Sequence, residues 1–262
     1  MKDTIGGVFE SISNRPVEPT ASTVRAFAPA KLTLSLRITG VRSDGYHLID
    51  AEMTTLDFGD WLEITSADAG VHMLTTAATV TEHVASGDNL ITKALALASR
   101  KAGVKVYKNI PFGSGLGGGS ANAAALLRWA GFTDVRSSVS IGADVAFCLI
   151  GGRARVNGIG ELVESVPYSY EHFTLLTPPI SCSTPAVYQA WDELGGPEGA
   201  NGNDLEPAAL HVFPELKRWR DELGNATGVI PRLAGSGSTW FVPGMYPGFG
   251  YTVVATRPAE TV

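Results

Sequence analysis

Three groups of residues have the types and spacing that polar group transfer requires. The first is the stretch 110–125, IPFGSGLGGGSANAAA. Its glycines let the backbone turn through φ > 0 and come close to a ligand. Residues 104–110 before it alternate like a strand, and 121–129 after it favour a helix. Strand, glycine loop and helix start together suit a phosphate, because N–H groups and the helix dipole favour an anion there. Ser120 is expected as the N-cap of that helix. The second group is Lys31, directly after Ala28-Pro29-Ala30, an ammonium suited to a phosphate or an attacking hydroxyl. The third is Asp144, a carboxylate at the head of the apolar run 145–150. It needs a cap role or a cationic partner, and acting as a base requires Lys31 nearby.

Each group also has a plainer reading. Lys31 alone fits a solvated strand edge, Asp144 a helix cap, and Tyr46-His47 behind the Asp44-Gly45 turn an ordinary surface turn. Tyr46 and His47 also suit stacking on, and hydrogen bonding to, a base or ring. The residues alone leave these alternatives open. A flexible linker fits the glycine loop poorly, since linkers do not end in an apolar helix. Gly113, Gly115 and Gly118 satisfy the dinucleotide pattern G-x-G-x-x-G, with Asp134 downstream. That reading ranks behind the phosphate cradle, because the loop lies mid-chain behind a proline with no run of βαβ repeats. No Gly-Lys-Ser/Thr ends the loop, which excludes a Walker A site.

The elements that must position these groups follow from the rest of the chain. Its 262 residues, 44% hydrophobic and 18% charged, are enough for one large domain or two small ones. A net charge of −6 argues against nonspecific nucleic-acid binding. Cys148 and Cys182 show neither metal-ligand spacing nor a disulfide framework, as expected of a cytoplasmic protein. There is no apolar run of membrane-spanning length and no signal-peptide core. Residues 1–22 read as a mobile arm. Strands are expected on either side of 28–31, and a turn followed by a strand over 56–64. A helix is expected over 89–102, capped by Asp88. Residues 151–166 read as strand and turn, with Arg153 and Arg155 outward. A domain boundary is placed near 165–175. Beyond it come a strand over 174–180, a helix through 188–194 capped at Ser183-Thr184-Pro185, a helix over 208–223, a glycine–serine turn with a strand over 233–242, and a final strand over 251–255.

PFGSGLGGGSANAA (111–124) resembles the phosphate loop of the GHMP kinases. APAKLTLSL (28–36), DGYH (44–47), GADVAF (142–147), STPAVY (183–188), NDLEP (203–207) and GSGST (235–239) follow in the order of one branch of that family. That branch phosphorylates the 2-hydroxyl of a cytidine diphosphate-linked polyol in non-mevalonate isoprenoid synthesis. The resemblance implies a two-domain α+β fold, with a ribosomal protein S5 domain 2-like half over 23–168 that binds ATP and a ferredoxin-like half over 169–262. It implies that Lys31 and Asp144 meet at the acceptor hydroxyl, Asp144 taking its proton and Lys31 offsetting phosphoryl charge. Pro111, Gly113, Ser114, Gly115, Leu116, Gly117, Gly118, Gly119 and Ser120 would hold the ATP phosphates, with Lys108 near the nucleotide. Mg²⁺ would bridge phosphate oxygens, with the Ser120 hydroxyl in reach.

On the acceptor side the resemblance implies Tyr46, His47 and Tyr188 around cytosine, with Thr33, Thr184, Gly235 and Ser236 beside them. Asn203 and Asp204 belong to a motif of partly structural role. The implied partners are two small-molecule substrates, with no nucleic acid and no membrane, for a monomer or homodimer. Three features depart from the family pattern. Thr33 stands where Asn is usual, Ala121 stands where a serine is usual, and the segments around 70–85, 190–230 and before 142 are short. A homoserine or mevalonate kinase and a catalytically silent nucleotide-binding relative remain the alternatives.

Overall fold

The computed structural model describes residues 23–66, 70–75, 83–84 and 89–259. The expected arm at 1–22 and the expected cap Asp88 lie outside them. Two long strands form the spine. β1 (Thr23–Val41) turns at Asp44-Gly45 and returns as β2 (His47–Thr65), antiparallel along its whole length. The expected break at Pro29 is absent: β1 runs straight through it. Proline lacks an N–H, which a strand tolerates at an edge or a bulge. At Pro29, among the described residues, β1 pairs on one side alone, with β2, and the register shifts between Pro29 and Lys31.

The turn expected at the start of 56–64 is also absent. Gly59 lies opposite Pro29 in the ladder, where an added Cβ would fall 2.4 Å from the Ala28 carbonyl oxygen. Its glycine therefore serves close approach of two strands and not a reversal of the chain.

β3 (Val71–Thr75) and β4 (His83–Val84) come next, then α1 (Leu90–Leu97) and β5 (Gly103–Lys108). β3 and β5 pair in parallel, with α1 in the connection between them. Asn89 caps α1, its side chain accepting from Thr92 N at 2.9 Å. α2 (Gly118–Trp129) follows the glycine loop, and a short 3₁₀ turn leads to α3 (Val145–Ile150). The hairpin β6 (Arg153–Gly158) and β7 (Leu162–Ser165) completes this half. One edge of β2 carries β1, and the other carries β6, β11 (Tyr251–Arg257) and β5 in succession.

The second half contains β8 (His172–Leu176), α4 (Thr184–Glu193), α5 (Glu206–Val212), α6 (Leu216–Thr227), β9 (Arg232–Leu233) and β10 (Trp240–Pro243). Its strands lie in the order β11-β8-β10-β9, all antiparallel. Numbered within this half, that is 4-1-3-2, the ferredoxin-like order. The connection from β10 to β11 carries no helix. The single helix expected over 208–223 is two, because Pro214 removes a helical N–H donor between them. Trp240, Phe241 and Phe173 fill the core of this sheet, and β11 joins it to β2. The architecture is α+β, as expected.

Candidate active site

Lys31 and Asp144, 113 positions apart in sequence, meet in space. Lys31 Nζ lies 3.1 Å from Asp144 Oδ2 and donates to Thr33 Oγ1 at 2.9 Å. β1 buries Lys31, whose side chain is only 5% exposed, while the Asp144 side chain is 30% exposed. Asp144 occupies the N-cap position of α3, yet its side chain makes no capping bond. Its carboxylate therefore faces Lys31 and solvent instead of its own helix. The Thr33 hydroxyl, expected on the acceptor side, accepts from Lys31 and holds its ammonium.

The glycine loop wraps over Lys31. Lys31 N donates to Leu116 O at 3.1 Å, and a Cβ on Gly117 would fall 2.7 Å from Lys31 Cγ. Gly117 has φ +69° and is the N-cap of α2, with no side-chain cap. This corrects the expectation for Ser120, which lies inside the helix. The left-handed cap is open to glycine alone at little cost, and it starts the helix at Gly118. The first N–H groups of α2 thus have no side-chain oxygen competing for them. The side chains of Ser114 and Leu116 point into the protein, 3% and 1% exposed. The Ser114 carbonyl accepts from Thr239 N at 3.0 Å.

A second loop closes the site from the other half. Gly115 packs on the Ala234 carbonyl, where a Cβ would fall 2.0 Å from its oxygen, and a Cβ on Gly235 would lie 3.4 Å from Lys31 Nζ. Asn203 fixes this loop, donating from Nδ2 to Leu233 O (2.8 Å) and Gly235 O (2.7 Å). Asp204 ties the same segment to β1 through Ile38 N (2.9 Å) and Arg37 (2.5 Å). Thr184 and Ser236 share a hydrogen bond of 2.8 Å.

Lys108 sits at the end of β5, below the start of α2. Its ammonium pairs with Asp60, and it lies 5.2 Å from the centre of the exposed Phe112 ring. Asp60, a residue the sequence reading missed, is fully buried and also accepts from Asn109 N (2.7 Å) and Ile110 N (2.8 Å). Arg153 and Arg155 are paired with Glu52, Glu171 and Asp50 along the sheet. Cys148 lies under Asp144; burial, with the Asp144 charge adding to it, pushes its thiol up to about 12.

One turn along α4 from Thr184 is Tyr188, about 6 Å further by helix rise. Burial raises the pKa of its hydroxyl, and the Asp144 carboxylate raises it further. The Tyr188 and His47 rings are 4.7 Å apart, centre to centre, and tilted by 44°. Offset or tilted aromatic pairs contact at this distance, so no base fits between them. Tyr46 stands apart, exposed, with Arg42 over its ring. Two residues missed in the sequence complete the cluster. Trp191 meets His47 edge-on at 5.5 Å, and Asp192 Oδ1 is 2.8 Å from His47 Nε2. Their spacing of three and four from Tyr188 was the available signal, since it places them on one helix face.

Residues 89–152 match the GHMP kinases N terminal domain. The chain is 35% identical over 256 residues to the 4-diphosphocytidyl-2-C-methyl-D-erythritol kinase of Roseobacter denitrificans, covering 85% of each chain. It is 36% identical over 236 residues to the kinase of the same name from Paracoccus denitrificans, covering 83% of this chain and 85% of that one. The fold matches a crystal structure of 4-(cytidine 5'-diphospho)-2C-methyl-D-erythritol kinase with a TM-score of 0.68, at 27% identity, over 89% of this chain and 99% of that one.

Proposed function

The chain belongs to the 4-diphosphocytidyl-2-C-methyl-D-erythritol kinase family of GHMP kinases, and we propose how its residues carry that family's phosphoryl transfer. The protein is an ATP-using small-molecule kinase of isoprenoid precursor synthesis, acting on the 2-hydroxyl of the cytidine diphosphate-linked methylerythritol. A homoserine or mevalonate acceptor and a catalytically silent role are not favoured. The observation that carries the mechanism is the Lys31–Asp144 pair at 3.1 Å beneath the glycine loop.

Asp144 accepts the proton of the acceptor hydroxyl as its oxygen bonds to the terminal phosphorus of ATP and the bond to the leaving ADP oxygen breaks. Lys31, held by Thr33, offsets charge on the transferred group. Phosphoryl transfer asks for positioning and electrostatics more than covalent help. The N–H groups of residues 117–120 hold phosphate, and the close packing around Gly115 and Gly117 leaves no room for a side chain where the cradle lies. A bound Mg²⁺ would offset charge on the phosphate oxygens. The phosphates and the Ser120 hydroxyl would hold it. Tyr188 and His47 receive the cytosine from one side, and the hydrogen-bonded pair Thr184 and Ser236 belongs to the acceptor side.

The same reading assigns residues 23–168 to an ATP-binding domain and 169–262 to a second domain that closes the site. It places the enzyme in the cytoplasm, consistent with Cys148 and Cys182 both being free thiols.

The decisive experiment incubates the protein with ATP, Mg²⁺ and the cytidine-linked methylerythritol, with homoserine and mevalonate in parallel, and follows ADP. ADP is expected with the cytidine compound alone. Turnover of either other acceptor in its place would overturn the assignment.

A further inference from the structure

Asp192 lies outside the Lys31–Asp144 pair, yet it contacts His47, a residue that the acceptor assignment above puts at the base. It lies in the last turn of α4, and its Oδ1 is 2.8 Å from His47 Nε2. The His47 side chain is only 10% exposed. Tyr188 covers one face of its ring and Trp191 meets it edge-on. Trp191 is itself anchored, donating from Nε1 to Pro197 O at 3.0 Å, with Gly196 packed against its ring. The imidazole is therefore clamped in one orientation.

A carboxylate only accepts hydrogen bonds, so the nitrogen facing Asp192 carries the hydrogen. In the neutral imidazole the other nitrogen, Nδ1, then presents a lone pair. Nδ1 makes no hydrogen bond among the described residues.

We propose that Asp192 is a positioning residue that holds His47 in its Nε2–H form, so that Nδ1 accepts from the exocyclic amine of the acceptor's base and selects cytosine over uracil. Uracil carries a carbonyl oxygen where cytosine carries the amine, and that oxygen would face the lone pair. Sites that hydrogen-bond a donor group reject analogues lacking it far more strongly than apolar pockets reject a missing methylene. The proposal rests on the acceptor assigned above.

The test compares cytidine- and uridine-diphosphate-linked acceptors in the wild type, Asp192→Ala and Asp192→Asn. The wild type is expected to favour the cytidine compound by ~10²-fold or more in kcat/KM. Asp192→Ala should raise KM for that compound ~10-fold and lower the base preference by at least as much, the scale of one lost oriented hydrogen bond. The KM for ATP and kcat should stay within about twofold, since Asp192 reaches neither phosphate nor hydroxyl. Asp192→Asn keeps an acceptor oxygen and should fall between the two. A raised KM with unchanged base preference would overturn the proposal, as would no change in either variant.

Nitrogen-15 shifts of the His47 ring in the wild type give an answer that needs neither variant folding nor turnover. The Nε2–H form supports the proposal, and the Nδ1–H form ends it. A wild type that phosphorylates neither compound would sink the acceptor assignment, and the ring shifts would still decide the role of Asp192.

Discussion

Lys31 and Lys108 are both buried lysines beside the glycine loop, and each meets an aspartate. Asp60, the partner of Lys108, is fully buried, and both its oxygens are engaged, by the ammonium and by two backbone N–H groups. Asp144, the partner of Lys31, is 30% exposed and makes no other hydrogen bond among the described residues. Asp60 spends three of its four lone-pair sites on these bonds and is closed to solvent, so it has no exposed oxygen for a substrate proton. The first pair therefore fastens β5 and the start of the loop to β2, and the second is free to react. A lysine–aspartate contact by itself says little about function; the unused valence at its exposed end decides.

Substitutions can break this contrast. Asp144→Asn should lower kcat by ~10²-fold or more, as for a lost proton acceptor, and should destabilise the fold less than Asp60→Asn, because the Asp144 side chain is 30% exposed. Unchanged turnover would put the reactive pair elsewhere. Gly117→Val drives a side chain into Lys31 at a φ of +69°. It should cut kcat/KM for ATP by ~10²-fold, since a shift of about 1 Å at a reacting centre costs that much. Retained ATP affinity in a calorimetric titration would remove the loop from phosphate binding.

Asp60→Asn should show the opposite profile. Breaking a buried ion pair typically costs about 3–5 kcal/mol of stability, and here the loop's backbone N–H groups lose a charged acceptor as well. Denaturant unfolding should show the loss, with kcat of the folded fraction close to the wild type. A catalytic defect without destabilisation would erase the distinction between the pairs.

Thr33→Val removes the hydroxyl that holds Lys31, a bond worth about 1 kcal/mol. A fall in kcat of roughly fivefold is expected. The smallest effect concerns Cys148. With its thiol near pKa 12, about one molecule in ten thousand is thiolate at pH 8. It should resist a thiol reagent in the native state and react on unfolding. Rapid native labelling would mean that the floor beneath Asp144 is open to solvent.

Local chemistry made much of this legible. The glycine loop, the helix behind it and the cap at Ser183 follow from backbone preferences that act over a few residues. The places where the sequence misled have local causes too. Gly59-Asp60 carries turn residues, but the glycine is required by the close approach of β1 and the aspartate by Lys108. Ser120 has the right type for a cap, but Gly117 takes the position through its left-handed backbone. Pro214 was a readable helix break that the apolar pattern around it concealed.

The sequence by itself determined the residue types, the order of the motifs and the α+β class, because these depend on neighbours along the chain. It left open whether Asp144 was a cap or a partner, and whether Tyr46 and His47 did more than turn the chain. Only the tertiary structure decided these points. Folding β1 under the glycine loop and packing α3 against α2 sets Asp144 beside Lys31. Packing α4 against the β1–β2 turn gives His47 to Tyr188, Trp191 and Asp192 while leaving Tyr46 in solvent. Such contacts join residues more than a hundred positions apart, and no local preference encodes them.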